Sequence, residues 1–159
     1  MTDPNVQTVF QWLKELATNP FLVTSISSWG IAQVLKVIIN FVVQKKIVWE
    51  RLFGDGGMPS GHSATVSSLA LITALRCGPG SVQFALAAIF AVVVCHDATG
   101  VRLETGKQAL LLKEITKLLD FSVPADIKLK ELVGHTPLQV LAGVSIGILN
   151  ALVMHFVVF

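Results

Sequence analysis

The chain has 159 residues, of which 53% are hydrophobic and 14% charged, with a mean hydropathy of +0.70. Such a composition excludes an ordinary soluble domain of this size and places the chain in a bilayer. The net charge of +2 is small, and the basic residues are spread between apolar segments rather than gathered in one run, which excludes nucleic acid as a partner. Cys77 and Cys95 have no metal-ligand spacing and read as small buried hydrophobes, so neither a zinc site nor a disulfide framework is expected.

In chain order, Val6, Val9, Phe10, Leu13 and Leu16 recur at helical spacing and predict a short amphipathic helix on the membrane surface. The segment lacks the basic start, compact apolar run and small-residue cleavage site of a signal peptide, and it is expected to stay in the mature protein. A first span is predicted from Phe21 to Val43, carrying Gln33, Lys36 and Asn40. Two shorter apolar stretches, His62 to Leu75 and Ser81 to Cys95, flank the turn sequence Arg76-Cys77-Gly78-Pro79-Gly80 and predict a helical hairpin. From Ala98 to Thr136, leucines and isoleucines interleaved with Lys113, Glu114 and Lys117 predict an amphipathic interfacial helix. It breaks at Phe121 to Ala125, and a second short helix follows from Asp126 to Leu132. This connection reads equally as a lid over a site or as a plain interfacial linker. A last span is predicted from Pro137 to Phe159, with Thr136 as N-cap, proline at the first helical position and Gln139 completing a capping box.

The expected fold is therefore an all-α polytopic membrane bundle with about four spanning helices plus interfacial helices. It forms a single domain over 1–159: interfacial helix 1–19, first three spans 20–97, interfacial connection 98–136, last span 137–159. With four spans, the Arg76 turn falls on one face, and the other two of the three junctions fall on the opposite one. That face collects Lys45, Lys46, Arg51, His62, His96, Asp97, Arg102, Lys107, Lys113, Lys117, Lys128, Lys130 and His135, and the positive-inside rule makes it cytoplasmic or the equivalent interior.

Pro59-Ser60-Gly61-His62 delivers a serine, close backbone amides and an imidazole to the start of a hydrophobic helix, after the flexible Asp55-Gly56-Gly57-Met58. An anion there meets free N–H donors and a favourable dipole, which points to phosphate chemistry. Other polar and aromatic residues have plainer readings. His96 fits a helix-end dipole contact, His155 is structural, and Trp12, Trp29 and Trp49 fit an interfacial belt. Asp55 alone does not make a metal site, and no metal or cofactor is expected.

Gly56 to Ala64, His96-Asp97-Ala98-Thr99-Gly100-Val101-Arg102, Gly106-Lys107-Gln108 and Gly134 to Gly143, in this order, resemble the small divergent branch of the type-2 phosphatidic acid phosphatase and vanadium-dependent haloperoxidase superfamily. The resemblance covers roughly residues 20 to 159. It implies a metal-free, two-step phosphoryl transfer in which His135 attacks phosphorus and His62 protonates the leaving alkoxide. Imidazole suits both tasks. Ser60 and the Gly61 amide would hold phosphate oxygens.

The sequence departs from the superfamily pattern at two motifs. The first, Lys-x6-Arg-Pro, is absent. Lys36 and Arg51 are its likeliest substitutes, Lys36 because an ionisable group inside a span is costly unless it faces a polar cavity or a charged partner. Arg51 reads either as a phosphate ligand or as a lipid-headgroup contact. In the third motif Gln139 stands where the pattern has the aspartate that orients the nucleophile, and a neutral amide cannot stabilise imidazolium as a carboxylate does. Asp97 is the expected replacement, unless Gln139 is simply the cap and His135 is less activated. Arg102, with Lys107 behind it, would replace the missing phosphate-binding arginine.

These residues imply a membrane phosphatase acting on a lipid phosphate of phosphatidate, phosphatidylglycerophosphate or prenyl diphosphate type, by a phosphohistidine. The alternative is a non-catalytic membrane protein that binds anionic headgroups or regulates a partner through a degenerate phosphate pocket. Its partners would be the lipid phosphate and membrane lipids, with homo-oligomers left open. A transporter is weakly supported, because no internal repeats or paired broken helices mark a pathway.

Overall fold

The computed structural model describes residues 4–45, 57–119 and 134–159, and among them the regular structure is entirely helical. The elements are α1 (Pro4–Ala17), α2 (Pro20–Gln44), α3 (Gly61–Cys77), α4 (Val82–Thr99), α5 (Val101–Leu118) and α6 (Pro137–Val153), the last continued by a π-helical turn at Met154–Val158. The expected short helix over 126–132 lies outside the described residues, as do Lys46, Trp49, Arg51, Asp55, Lys128 and Lys130.

Local chemistry sets the helix starts. The Asn19 side-chain oxygen accepts from the Phe21 and Leu22 amides at 2.9 and 3.2 Å, with Pro20 at the first position of α2. Ser60 and Ser81 cap α3 and α4. At α6 the expected capping box forms: the Gln139 amide donates to Thr136 Oγ1, and the Thr136 amide donates to Gln139 Oε1 at 3.1 Å.

Among the described residues, three helical segments are long and apolar enough to cross a membrane: Pro20–Val43, Val82–Leu118 and Pro137–Val158. The chain is an integral membrane protein built as an all-α bundle, but with about three spans rather than four. The expected second span, α3, has 17 residues and rises about 25 Å, short of the ~30 Å hydrocarbon core. It also carries His62, Ser63, Thr65, Ser67, Ser68 and Thr73, which suits an internal helix enclosed by protein. Accordingly α3 packs against α2, α4 and α6 and forms the centre of the bundle. Of the long segment Val82–Leu118, the apolar part is α4. Gly100 breaks it, and α5 carries Arg102, Glu104, Lys107, Lys113, Glu114 and Lys117, so α5 keeps its expected amphipathic character.

The inner face of α2 is polar. Thr24, Ser28, Ala32, Lys36 and Asn40 recur every fourth residue and all are buried, while Leu22, Ile26, Val34, Ile38, Phe41 and Val42 are exposed. Lipid is the outer solvent, so the hydrophobic pattern of a soluble helix is inverted and polar side chains hold the helices together. Asn150 on α6 makes this explicit: its amide nitrogen lies 2.8 Å from Ser28 Oγ, 2.9 Å from Ser27 Oγ and 3.2 Å from the Thr24 carbonyl oxygen. Replacing Asn150 by leucine removes these bonds between α2 and α6. It is expected to cost about 1 kcal/mol, read as a lower thermal midpoint of the purified protein.

The closest helix contact is between α3 and α6. A Cβ on Gly143 would overlap the Ser60 carbonyl oxygen, and one on Gly147 would overlap Ser67 Oγ and the Ala64 carbonyl oxygen. With buried Ala151 one turn further on, the spacing is the small-xxx-small pattern of tightly packed membrane helices. At the end of the bundle away from the site, the Arg76 guanidinium stacks 5.5 Å from the centre of the Phe159 ring.

Candidate functional site

Four chain segments meet at the other end of the bundle. The Ser60 amide donates to the Gln139 carbonyl at 3.1 Å, tying the start of α3 to the first turn of α6. The His135 amide donates to the Ala98 carbonyl at 3.0 Å, tying the approach to α6 against the last turn of α4. Gly134 permits this second junction, because a Cβ there would overlap the Leu103 backbone and approach the Arg102 carbonyl carbon.

The product is a cavity of ≈ 220 Å³ lined by His62, Val93, Val94, Asp97, Ala98, Arg102 and His135. Both expected catalytic histidines, the expected carboxylate and the expected arginine thus share one wall. Their exposures differ. His135 is 3% exposed, held within the bundle, whereas His62, at the second position of α3, is exposed. A buried imidazole and an open one therefore line the same cavity.

Arg102 reaches Asp97 because the helix breaks between them. On a continuous helix side chains five residues apart point about 140° away from each other. The interruption at Gly100 closes that angle, and Arg102 Nε donates to Asp97 Oδ2 at 2.6 Å. The pair is partly exposed, so its value lies less in stability than in presenting a planar guanidinium, with its remaining N–H donors, at the cavity.

Ser60 and Gly61 lie deeper than expected from the motif. Ser60 is fully buried, and its hydroxyl accepts from the Ser63 amide at 3.3 Å and from the Ser63 hydroxyl at 2.9 Å. It is therefore the N-cap of α3 and positions His62. Gly61 is buried against α2, where an added Cβ would stand 3.3 Å from the Trp29 ring and 3.7 Å from the Gln33 amide nitrogen. Neither residue lines the cavity, which the first turn of α3 reaches through His62.

Not every expected site residue is in this cavity. Lys36 is 4% exposed and lines a separate pocket of ≈ 130 Å³ with Ile39, Asn40, Val43, Gly57 and Met58, on the α2 side of the turn that leads to Ser60. Lys107 is exposed, with its ammonium 2.7 Å from Glu104 Oε1, and does not line the cavity. Arg51 lies outside the described residues. Gln139 has its side chain in the capping box, and Asp97 is the carboxylate beside His135. Conversely, Gly134 and Gly143 were not identified as site-forming. The signal for Gly143 was present in its four-residue spacing to Gly147 within an apolar span.

The same segments are matched by a family model, described as the Divergent PAP2 family, over residues 17–150. The chain belongs to the Divergent PAP2 family. It is 42% identical over 154 residues to the membrane protein YuiD of Bacillus subtilis (strain 168), an alignment covering 89% of this chain and 98% of YuiD. No solved structure matches the chain. The Divergent PAP2 match takes in α2, α3, α4, α5 and most of α6, so all the cavity residues fall within it. Among the described elements, α1 up to Leu16, the last three residues of α6 and the π-helical turn lie outside the matched residues.

Proposed function

We propose that the chain is a membrane phosphatase that hydrolyses a lipid phosphate, of phosphatidate, phosphatidylglycerophosphate or prenyl diphosphate type, through a phosphohistidine and without a metal ion. The observation that carries this reading is the common cavity of His62, Asp97, Arg102 and His135. In the first step a neutral His135 nitrogen attacks phosphorus as the bond to the lipid oxygen breaks, and protonated His62 gives its proton to that oxygen. In the second step water attacks phosphorus as the bond to the His135 nitrogen breaks, His62 takes a proton from the water, and inorganic phosphate leaves with His135 restored. Arg102 and the first-turn amides of α3 neutralise the charge on the equatorial oxygens. Asp97 holds the guanidinium through the 2.6 Å bond and supplies the negative charge that offsets imidazolium beside it. Neither Lys36 nor Lys107 has a part in these steps. The basic residues near this end, Lys45 and Lys107 among them, support an orientation with this end on the cytoplasmic or equivalent interior side.

One specific observation favours a second reading. Gln139 occupies the aspartate position and its side-chain oxygen accepts from the Thr136 amide, so the carboxylate of the parent motif is replaced by a neutral amide committed to the helix cap. On that reading the cavity binds an anionic headgroup and performs no chemistry.

Purified protein assayed for inorganic phosphate release from phosphatidate, phosphatidylglycerophosphate and a prenyl diphosphate separates the two. The phosphatase reading expects release in the presence of EDTA and inhibition by vanadate, which mimics phosphate. Silence over the whole panel with retained headgroup binding supports the second reading instead.

A further inference from the structure

We propose that the histidine cavity is the head of a longer groove between α3 and α4, and that this groove holds a single hydrocarbon chain, joined to the phosphate, that reaches past the bilayer midplane. The proposal rests on the reading of the site as one for a lipid phosphate, and it narrows the substrate from any such lipid to one with a long single chain.

A second cavity, of ≈ 540 Å³, lies between α3 and α4 toward the opposite end of the bundle, lined mainly by Leu69, Thr73, Leu86, Ala87 and Phe90, with Phe21 of α2 against it. Its volume is that of a ligand site rather than a packing defect. The register of α4 relates it to the histidine cavity. Gln83, Ala87, Phe90, Val94 and Asp97 follow one another by alternate steps of four and three residues, the spacing of one helix face. The first three line the far cavity and the last two line the histidine cavity. On α3, His62, Leu69 and Thr73 fall on one face in the same way, with His62 at the head and the other two in the far cavity. Both cavities therefore lie along one seam between the same two helices, and adjacent turns of α4, at Phe90 and at Val93 and Val94, separate them.

The length of the seam selects its occupant. From Asp97 the helix rises about 10 Å to Phe90 and about 21 Å to Gln83. Half of the hydrocarbon core is about 15 Å deep. A chain whose phosphate sits at His62 and His135 thus begins to fill the far cavity within its own leaflet and ends beyond the midplane. Bulk lipid of either leaflet has no phosphate at the head of this seam. A helix from a second copy likewise brings no phosphate to the head of this seam.

The test uses phosphorylated chains with a photoactivatable diazirine at the terminal carbon, in a straight alkyl and a prenyl series, added to the full chain in phosphatidylcholine vesicles. In each series one probe reaches about 10 Å and the other about 21 Å along the helix axis. Labelled peptides are mapped by mass spectrometry. The expected result is that the long probe labels the segments around Leu69 to Thr73 and Gln83 to Ala87, that the short probe labels nearer Phe90 and Val94, and that vanadate reduces both. Ala87→Trp, which fills the far cavity, should lower long-probe labelling about tenfold or more and leave the short probe unchanged. Leu69→Trp, from the facing wall, should do the same and serves where the first variant does not fold. Equal labelling by the matching unphosphorylated alcohols, labelling outside α3 and α4, or indifference to both tryptophans overturns the proposal. The two series distinguish a prenyl from an alkyl source. Labelling needs no turnover. A protein that labels in this pattern and releases no phosphate keeps the groove and loses the phosphatase reading. One that hydrolyses chains of every length equally, without groove labelling, loses the groove alone.

Discussion

His135→Ala is expected to abolish phosphate release from a lipid phosphate, by about 10⁴-fold or more, because it removes the nucleophile of both steps. The bundle should survive the change. The contact that fixes residue 135 against α4 is its backbone amide to the Ala98 carbonyl, which alanine retains. His62→Ala should act differently. His62 is exposed at the second position of α3, its replacement leaves the Ser60 cap intact, and loss of a general acid costs about 10²–10⁴-fold. That cost depends on the leaving group. An alkoxide needs the proton and a nitrophenolate does not, so the His62 variant should recover much of its first step on an aryl phosphate while the His135 variant stays silent on both. Because His62 also takes the proton from water in the second step, its variant should accumulate acid-labile phosphoenzyme, detectable with radiolabelled substrate. Phosphoenzyme in the His135 variant would remove His135 as the nucleophile and assign that role to another residue.

The sequence carried the composition of this site better than its geometry. Helix caps and turn residues were local, so the starts of α3, α4 and α6 and the capping box at Thr136 were legible directly. The gathering of His62, Asp97, Arg102 and His135 followed from topology, since helices that alternate in direction bring their junctions to one end. Helical phase was not legible in the same way. Lys107 follows Arg102 by five residues, which turns it about 140° around α5, and it lies beside Glu104 instead. Lys36 was identified as an ion inside a span, but the register of α2 places it in the pocket beside Gly57 and Met58. Ser60 read as a phosphate ligand because its hydroxyl is chemically suited to that task. Burial instead commits the hydroxyl to Ser63. Hydropathy alone also overstated α3 as a span, because its serines and threonines are tolerated by the surrounding helices rather than by lipid.

The glycines carry positional information that a hydropathy reading passes over, and Gly134 gives the sharpest test. The chain at Gly134 lies so close to the first turn of α5 that even a methyl group overlaps the Leu103 backbone. Gly134→Ala must therefore move residues 134 and 135 away from α5. Relief by side-chain rotation is not available, because the atoms in the way are backbone. The displacement falls on the separation of His135 from Arg102, which both line the cavity. A shift of about 1 Å between a nucleophile and the group that binds its substrate costs about 10²-fold. The variant is thus expected to lose about 10²-fold in kcat/KM, with most of the loss in kcat. Gly147→Ala supplies the comparison. Its methyl group meets Ser67 and Ala64, about 1.4 turns and about half a turn along α3 from His62 and outside the cavity lining, so it should lower the thermal midpoint through overpacking of about 1–3 kcal/mol and change kcat less. If Gly134→Ala loses stability and activity in the same proportion as Gly147→Ala, the close approach at Gly134 serves the fold and not the placement of His135. A fall in kcat at nearly unchanged stability assigns it to the site.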